Sequence, residues 1–330
     1  METSSLHPGK LFGLASSYWQ PCALHAGVKL GIFSSVARNK STTGEIAADL
    51  GTSPRGTEAL LNALTAMDLL IKKDGRFTNA PLAAAFLVKE KPGYVGHIIM
   101  HHHHLVDGWA QLDVAVKTGE PVETRDHGEE KERESFQLGM LNLALAIAPA
   151  ISKEINLQGR KHLLDLGGGP GTHAIHFCLE NPQLRATIFD RETTRPFALE
   201  TARRFGVEKR IDFSAGDFNR DPVPGRYDVA WLSQIIHSNA PETCRKLIRK
   251  TAAALKPGGL LLIHDFFLND DYAGPLFPAL FSLNMLINND GRSYSAAEVS
   301  EMMEESGLTD IKRLCFQGGN DSYIISGVLK

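Results

Sequence analysis

The sequence has few cysteines, little net charge and no long apolar run, and each shortage removes a class of protein. Its four cysteines, Cys22, Cys178, Cys244 and Cys315, lie far apart and form no CxxC pair. That is neither a zinc framework nor a secreted disulfide scaffold, and it suits a reducing compartment. The formal net charge is −3, so no overall basic field exists to gather nucleic acid or an anionic membrane. The first ten residues are polar and lack the apolar core of a signal peptide. No stretch approaches the uninterrupted apolar length of a membrane span, so a cytoplasmic location is expected. The adjacent histidines His101 to His104 point to different sides of a helix and cannot share one metal ion, so no metal is expected.

What is present is ample for a well-buried core. With 330 residues and 43% hydrophobic content, the chain makes two domains or one large one. Residues 11–84 read as helical, ending in a short hairpin. Thr42 and Glu45 have capping-box spacing ahead of an apolar-periodic run that Gly51 stops. Ser53 and Pro54 open a second helix through Leu60, Leu61 and Leu64. Two extended pieces then flank Asp74-Gly75, completing a winged-helix outline. A recognition helix needs basic or amide side chains aimed at DNA. The second helix offers only Arg55, Glu58, Asn62 and Asp68, which favours a structural or dimerisation role.

Residues 94–155 read as a helical connector. Trp109, Leu112 and Val116 mark one helix stopped at Thr118-Gly119-Glu120-Pro121, the charged segment 125–134 is expected to be exposed, and Phe136, Met140, Leu143 and Ile147 share a helical face. Beyond it, strand-like runs at 162–165, 186–189, 211–213, 227–231 and 259–263 alternate with helices, for example 242–255. This predicts an α/β fold with a doubly wound, parallel sheet. The runs 310–316 and 322–329 are joined by so short a turn that they must pair antiparallel. The expected division is 1–92, 93–158 and 159–330.

The chemistry gathers at the strand ends. Asp165-Leu166-Gly167-Gly168-Gly169-Pro170-Gly171 follows the first strand and opens a helix. Glycines there let a ligand lie directly against backbone. The spacing is GxGxG rather than the GxGxxG dinucleotide fingerprint, and no Walker lysine follows. Asp190, with Arg191 beside it, ends the second strand about 20 residues on, where an acid binds ribose hydroxyls. Asp217 and Phe218 follow the third strand, where a carboxylate can accept from an adenine amino group while the ring flanks the base. Together these features predict an adenosyl cofactor.

With these motifs the chain resembles the small-molecule O-methyltransferases of the caffeic acid, hydroxyindole and bacterial natural-product type. The resemblance runs nearly end to end. It implies S-adenosylmethionine as cofactor, a homodimer assembled through the N-terminal region, and methylation of a hydroxyl on a small aromatic acceptor. His237 matches the family's catalytic histidine. It follows the fourth strand, and imidazole suits proton removal near neutral pH. Asp265 matches the acid that orients that histidine, and His264 alternates to the other side of its strand. Asn239 replaces the family's tryptophan, Ser233 stands at a cofactor-contacting lysine, and Ser293 replaces a second acid. Phe136 and Met140 match a Phe-x-x-x-Met pattern and, with Phe281, Asn284 and Met285, are candidates for the acceptor pocket. C-methylation of a pigment or tetrapyrrole is one alternative, and a DNA-binding regulator that senses the cofactor is another.

Overall fold

The computed structural model describes residues 7–122 and 130–330, with only the backbone described for 130–135. Of the segment 125–134, expected to be exposed, residues 125–129 and the side chains of 130–134 lie outside the described residues. The chain divides into two compact units, Met1–Leu105 and Val106–Lys330.

The first unit contains α1 (Gly9–Ser16), α2 (Trp19–Leu30), α3 (Ile32–Ala37), α4 (Thr43–Leu50), α5 (Pro54–Ala66), the hairpin β1 (Leu70–Lys73) and β2 (Arg76–Asn79), and α6 (Pro81–Phe86). The local signals act as their chemistry dictates. Thr42 and Glu45 form a reciprocal capping box, Ser53 accepts from the Gly56 N–H, and Gly51 is left-handed at the end of α4. Ile32, Phe33, Ile46, Leu61, Leu64, Leu70 and Phe77 form the core. Lys72, at the turn of the wing, donates to Asn62 and lies over the Phe77 ring. Its charge is thus engaged within its own unit.

α7 (Gly96–Trp109) and α8 (Leu112–Thr118) correct the single helix expected through Trp109 and Val116. The break at Ala110-Gln111 loses few hydrogen bonds. Gln111 N–H still reaches the Gly108 carbonyl, and Val114 N–H reaches Gln111. No proline marks such a tight turn, so the side-chain spacing continues across it. Gly119 ends α8 in the left-handed conformation, as Gly commonly does at a helix end.

The second unit continues with α9 (Glu130–Glu154), β3 (His162–Leu166), α10 (Thr172–Glu180), β4 (Arg185–Asp190), α11 (Arg195–Arg204), β5 (Ile211–Ala215), β6 (Tyr227–Ser233), α12 (Pro241–Ala253), β7 (Leu255–Phe266), α13 (Leu276–Asn288), α14 (Ala296–Glu305), β8 (Leu308–Gln317) and β9 (Ser322–Leu329). Within α9, Phe136–Glu154 is long and apolar enough to cross a membrane by length and composition, which the sequence reading did not anticipate. Ile147 and Ile151 of this helix pack into a core with Ile175 and Cys178 of α10. α12 stops short of the expected 255, because Leu255 leaves the helix to pair with Tyr227.

The sheet order is β5-β4-β3-β6-β7-β9-β8. β3 to β7 run parallel, while β9 is antiparallel to both β7 and β8. The chain leaves β3 toward β4 and β5, then returns to its other side as β6. That reversal opens a crevice at the carboxyl tips of β3 and its neighbours, where doubly wound sheets receive ligands.

Candidate active site

The loop after β3 is shaped by Gly167, Gly169 and Gly171, at φ of 68°, 51° and 74°, a region L side chains rarely adopt. A Cβ at Gly169 would meet only Gln137 Oε1, at 3.7 Å, so this stretch of backbone stands open to a ligand. Asp165 accepts from the Ala174 N–H at 3.3 Å, tying β3 to the first turn of α10. Burial pushes its carboxyl up to about 7; the Ala174 bond opposes this and the neighbouring Asp190 adds to it. Asp190, at the tip of β4, accepts from the Gly169 N–H at 2.7 Å and from the Arg191 N–H at 2.6 Å. Its carboxylate therefore holds the loop, and burial raises its pKa.

Phe218 brings the β5 tip to the same loop. Its ring lies 3.2 Å from where a Cβ at Gly167 would stand. Arg191, Asp217, Phe218, Asn219 and Asn239 line one cavity of about 700 Å³. Asp217 caps its own turn by accepting from the Asn219 N–H at 2.9 Å. A glycine-lined backbone, a strand-tip acid on each side and a cavity with a carboxylate beside an aromatic ring fit an adenosyl cofactor.

The turn after β6 and the end of β7 bring His237 and Asp265 together. His237 Nδ1 and Asp265 Oδ1 are 2.6 Å apart, and both side chains are buried. Asp265 Oδ1 also accepts from the Phe266 N–H, and Oδ2 from the His237 N–H at 3.4 Å. A carboxylate can only accept, so Nδ1 carries the proton and Nε2 is left as the basic nitrogen. Gly291 passes directly behind this turn, where a Cβ would strike the His237 carbonyl.

Aromatic rings gather beside His237. Phe281 meets the His237 ring edge-on at 4.8 Å, and Phe266 lies 4.9 Å from both Phe281 and Phe277. Asn284 accepts from the Trp109 indole at 3.0 Å, which fixes its amide. Met285 is buried, and its sulfur accepts from Asn289. Phe136 and Met140 are half-buried on α9, flanking Gln137. The structure thus gathers His237, Asp265 and Phe281 at one point and the glycine loop, Asp190 and Phe218 at another.

Ser233 is engaged differently from a cofactor ligand. Its hydroxyl lies 2.8 Å from His264 Nδ1 and 3.5 Å from His173 Nε2. His264 is fully buried, stacked on Trp231, and bonded through Nε2 to Ser322. Asn239 staples its own turn, donating to the Ile235 carbonyl and accepting from Asn219. Ser293 is fully buried, and its backbone N–H donates to Ser282. Gln137 was not among the candidates, although it sits between two residues that were. A glutamine inside an apolar helical face gives no periodic signal.

Comparison with known proteins places this geometry among relatives. Residues 112–309 match the profile of the O-methyltransferase domain, and residues 12–89 match the O-methyltransferase dimerisation domain. The chain is 33% identical to a 3-hydroxy-5-methyl-1-naphthoate 3-O-methyltransferase from Streptomyces sahachiroi, covering 97% of this chain and 95% of that protein. It is 30% identical to the N,N-dimethyltransferase OxyT of Streptomyces rimosus, over 93% and 94% of the two chains. The crystal structure of human N-acetylserotonin methyltransferase in complex with SAM superposes with a TM-score of 0.87 at 25% identity, covering 100% of this chain and 99% of that one.

Proposed function

Because the chain belongs to the S-adenosylmethionine-dependent O-methyltransferases, we propose that it methylates a hydroxyl on a flat aromatic small molecule, with His237 as general base and Asp265 as its orienting acid. The observation that carries this reading is the buried 2.6 Å His237–Asp265 bond with Phe281 against the imidazole. Bound S-adenosylmethionine supplies a methyl group made electrophilic by its sulfonium.

The residues of the chain do the rest. Gly167, Gly169 and Gly171 bring backbone against the cofactor, with Asp165 and Asp190 holding the loop in shape. Asp190 and Arg191 face the ribose, and Asp217 and Phe218 the adenine. Phe136, Met140, Phe281, Asn284 and Met285 receive the acceptor. His237 Nε2 takes the hydroxyl proton as the oxygen attacks, and Asp265 stabilises the imidazolium that forms. Ser233 acts through His264, holding the β6 tip in place. Orientation of acceptor against methyl contributes up to roughly 7–11 kcal/mol in favourable cases, which reduces what the single His–Asp pair must supply.

The naphthoate relative acts on a hydroxyl of an aromatic acid, which makes hydroxynaphthoates the first acceptors to assay. The dimerisation domain match and the exposed Leu11, Phe12, Leu14, Tyr18 and Trp19 support a homodimer formed through the first unit. The test is transfer of labelled methyl from S-adenosylmethionine to a panel of hydroxylated aromatics, with aromatic amines and carbon nucleophiles alongside. Label appearing only on amines or on carbon would overturn the hydroxyl assignment.

A further inference from the structure

Gln137 Oε1 is buried with no hydrogen-bond partner among the described residues. It lies 3.7 Å from where a Cβ at Gly169 would stand, so the side chain looks onto the open face of the glycine loop. The Gly169 N–H is not available to it, being already given to Asp190. Two more acceptors stand along the same loop. Thr172 Oγ1 is buried without a partner. The Asp165 carboxylate lies 2.6 Å from the Cβ position of Gly168 and, among the described residues, receives only the 3.3 Å bond from Ala174. Buried acceptors left unpaired are costly, and a group of them around open backbone asks for a ligand rich in N–H donors.

Of the parts of S-adenosylmethionine, its α-ammonium alone offers three N–H donors and a positive charge. We infer that Gln137 Oε1 binds the α-ammonium of the cofactor, so that the helix carrying the acceptor-pocket residues Phe136 and Met140 also fastens the amino-acid end of the methyl donor. The inference rests on the cofactor reading above and extends it to a residue that neither the sequence motifs nor the strand-tip geometry include.

Calorimetric titration of the full-length protein separates the possibilities. The ligands are S-adenosylhomocysteine, decarboxylated S-adenosylmethionine, which keeps the amine but lacks the carboxylate, and 5′-methylthioadenosine, which lacks the whole amino-acid end. Gln137→Leu is expected to weaken the first two by roughly tenfold or more, as loss of a charge-assisted bond implies. It should leave 5′-methylthioadenosine within about twofold. Gln137→Glu, which keeps an acceptor, should retain S-adenosylhomocysteine. Equal weakening of all three ligands, or of none, would overturn the inference, as would equal losses in the Leu and Glu variants. A loss confined to S-adenosylhomocysteine would place the contact on the carboxylate and overturn the ammonium assignment. If the wild-type protein itself bound no S-adenosylhomocysteine, the cofactor reading would fail instead.

Discussion

His237 Nδ1 meets Asp265 Oδ1 at 2.6 Å; His237 sits in the turn that follows β6, and Asp265 near the end of the neighbouring parallel strand β7. The bond selects one tautomer of the ring and places a carboxylate against its protonated nitrogen. Asp265→Asn keeps the shape and removes the charge. Its kcat is expected to fall by about 10²–10⁴-fold, the range general-base catalysis contributes, while the Kd for S-adenosylhomocysteine stays within about twofold. Steady-state kinetics and calorimetry on the same preparation check both halves.

Gly291 gives room for the turn that carries His237. A methyl group there would meet the His237 carbonyl and lie 2.8 Å from the Asn239 nitrogen, and backbone cannot swing aside as a flexible side chain can. Gly291→Ala is expected to cost about 1–3 kcal/mol, as overpacking does, and to lower kcat while sparing cofactor affinity. Urea unfolding and turnover report the two effects separately.

His264 makes stability depend on acid. Ser322 donates its hydroxyl proton to the Gly319 carbonyl, so His264 Nε2–H donates to Ser322 and Nδ1 accepts from Ser233. The ring is neutral, and burial lowers its pKa to about 4, with smaller opposed effects from Asp265 and His237. A depressed folded-state pKa contributes stability that is present above the unfolded value of 6.5 and is lost as the pH falls toward 4. Between pH 7 and pH 5 the wild type should therefore lose on the order of 2 kcal/mol more than His264→Gln. His173, lowered to about 3 by burial, acts in the same direction in both proteins. Asp165 acts oppositely: its raised pKa stabilises the fold at low pH and loses that effect as the pH rises toward about 7. Chemical denaturation of both proteins at the two pH values isolates the His264 contribution; equal losses would count against it.

The α1–α2 surface predicts assembly. Leu14 and Trp19 are 72% and 65% exposed in the single chain, a poor arrangement for apolar side chains clustered with Leu11, Phe12 and Tyr18. Leu14→Glu combined with Trp19→Asp should halve the mass seen by light scattering. Circular dichroism of the second unit's α/β fold should remain unchanged.

Much of this structure was legible in the sequence where one residue's chemistry decides the local outcome. Thr42 with Glu45, Ser53 with Pro54 and Gly51 fixed helix ends because capping is a contact between near neighbours. The strand-tip acids Asp165, Asp190, Asp217 and Asp265 were legible because a parallel sheet places each strand's end at one edge. Side-chain direction was not. The position of Ser233 suggested a cofactor contact, but its hydroxyl turns to His264 and His173, and only the sheet register decides that. The Ala110-Gln111 break was invisible because no glycine or proline occupies it. Gln137 was hidden because its meaning lies in an unpaired atom 3.7 Å from a position 32 residues away in sequence.

The most direct test is the rate of methyl transfer by His237→Ala at saturating S-adenosylmethionine, on an acceptor the wild-type protein turns over. General-base catalysis by Nε2 predicts a kcat at least about a hundredfold lower, with S-adenosylhomocysteine still bound at wild-type affinity. Turnover at the wild-type rate would contradict the role given to the His237–Asp265 pair.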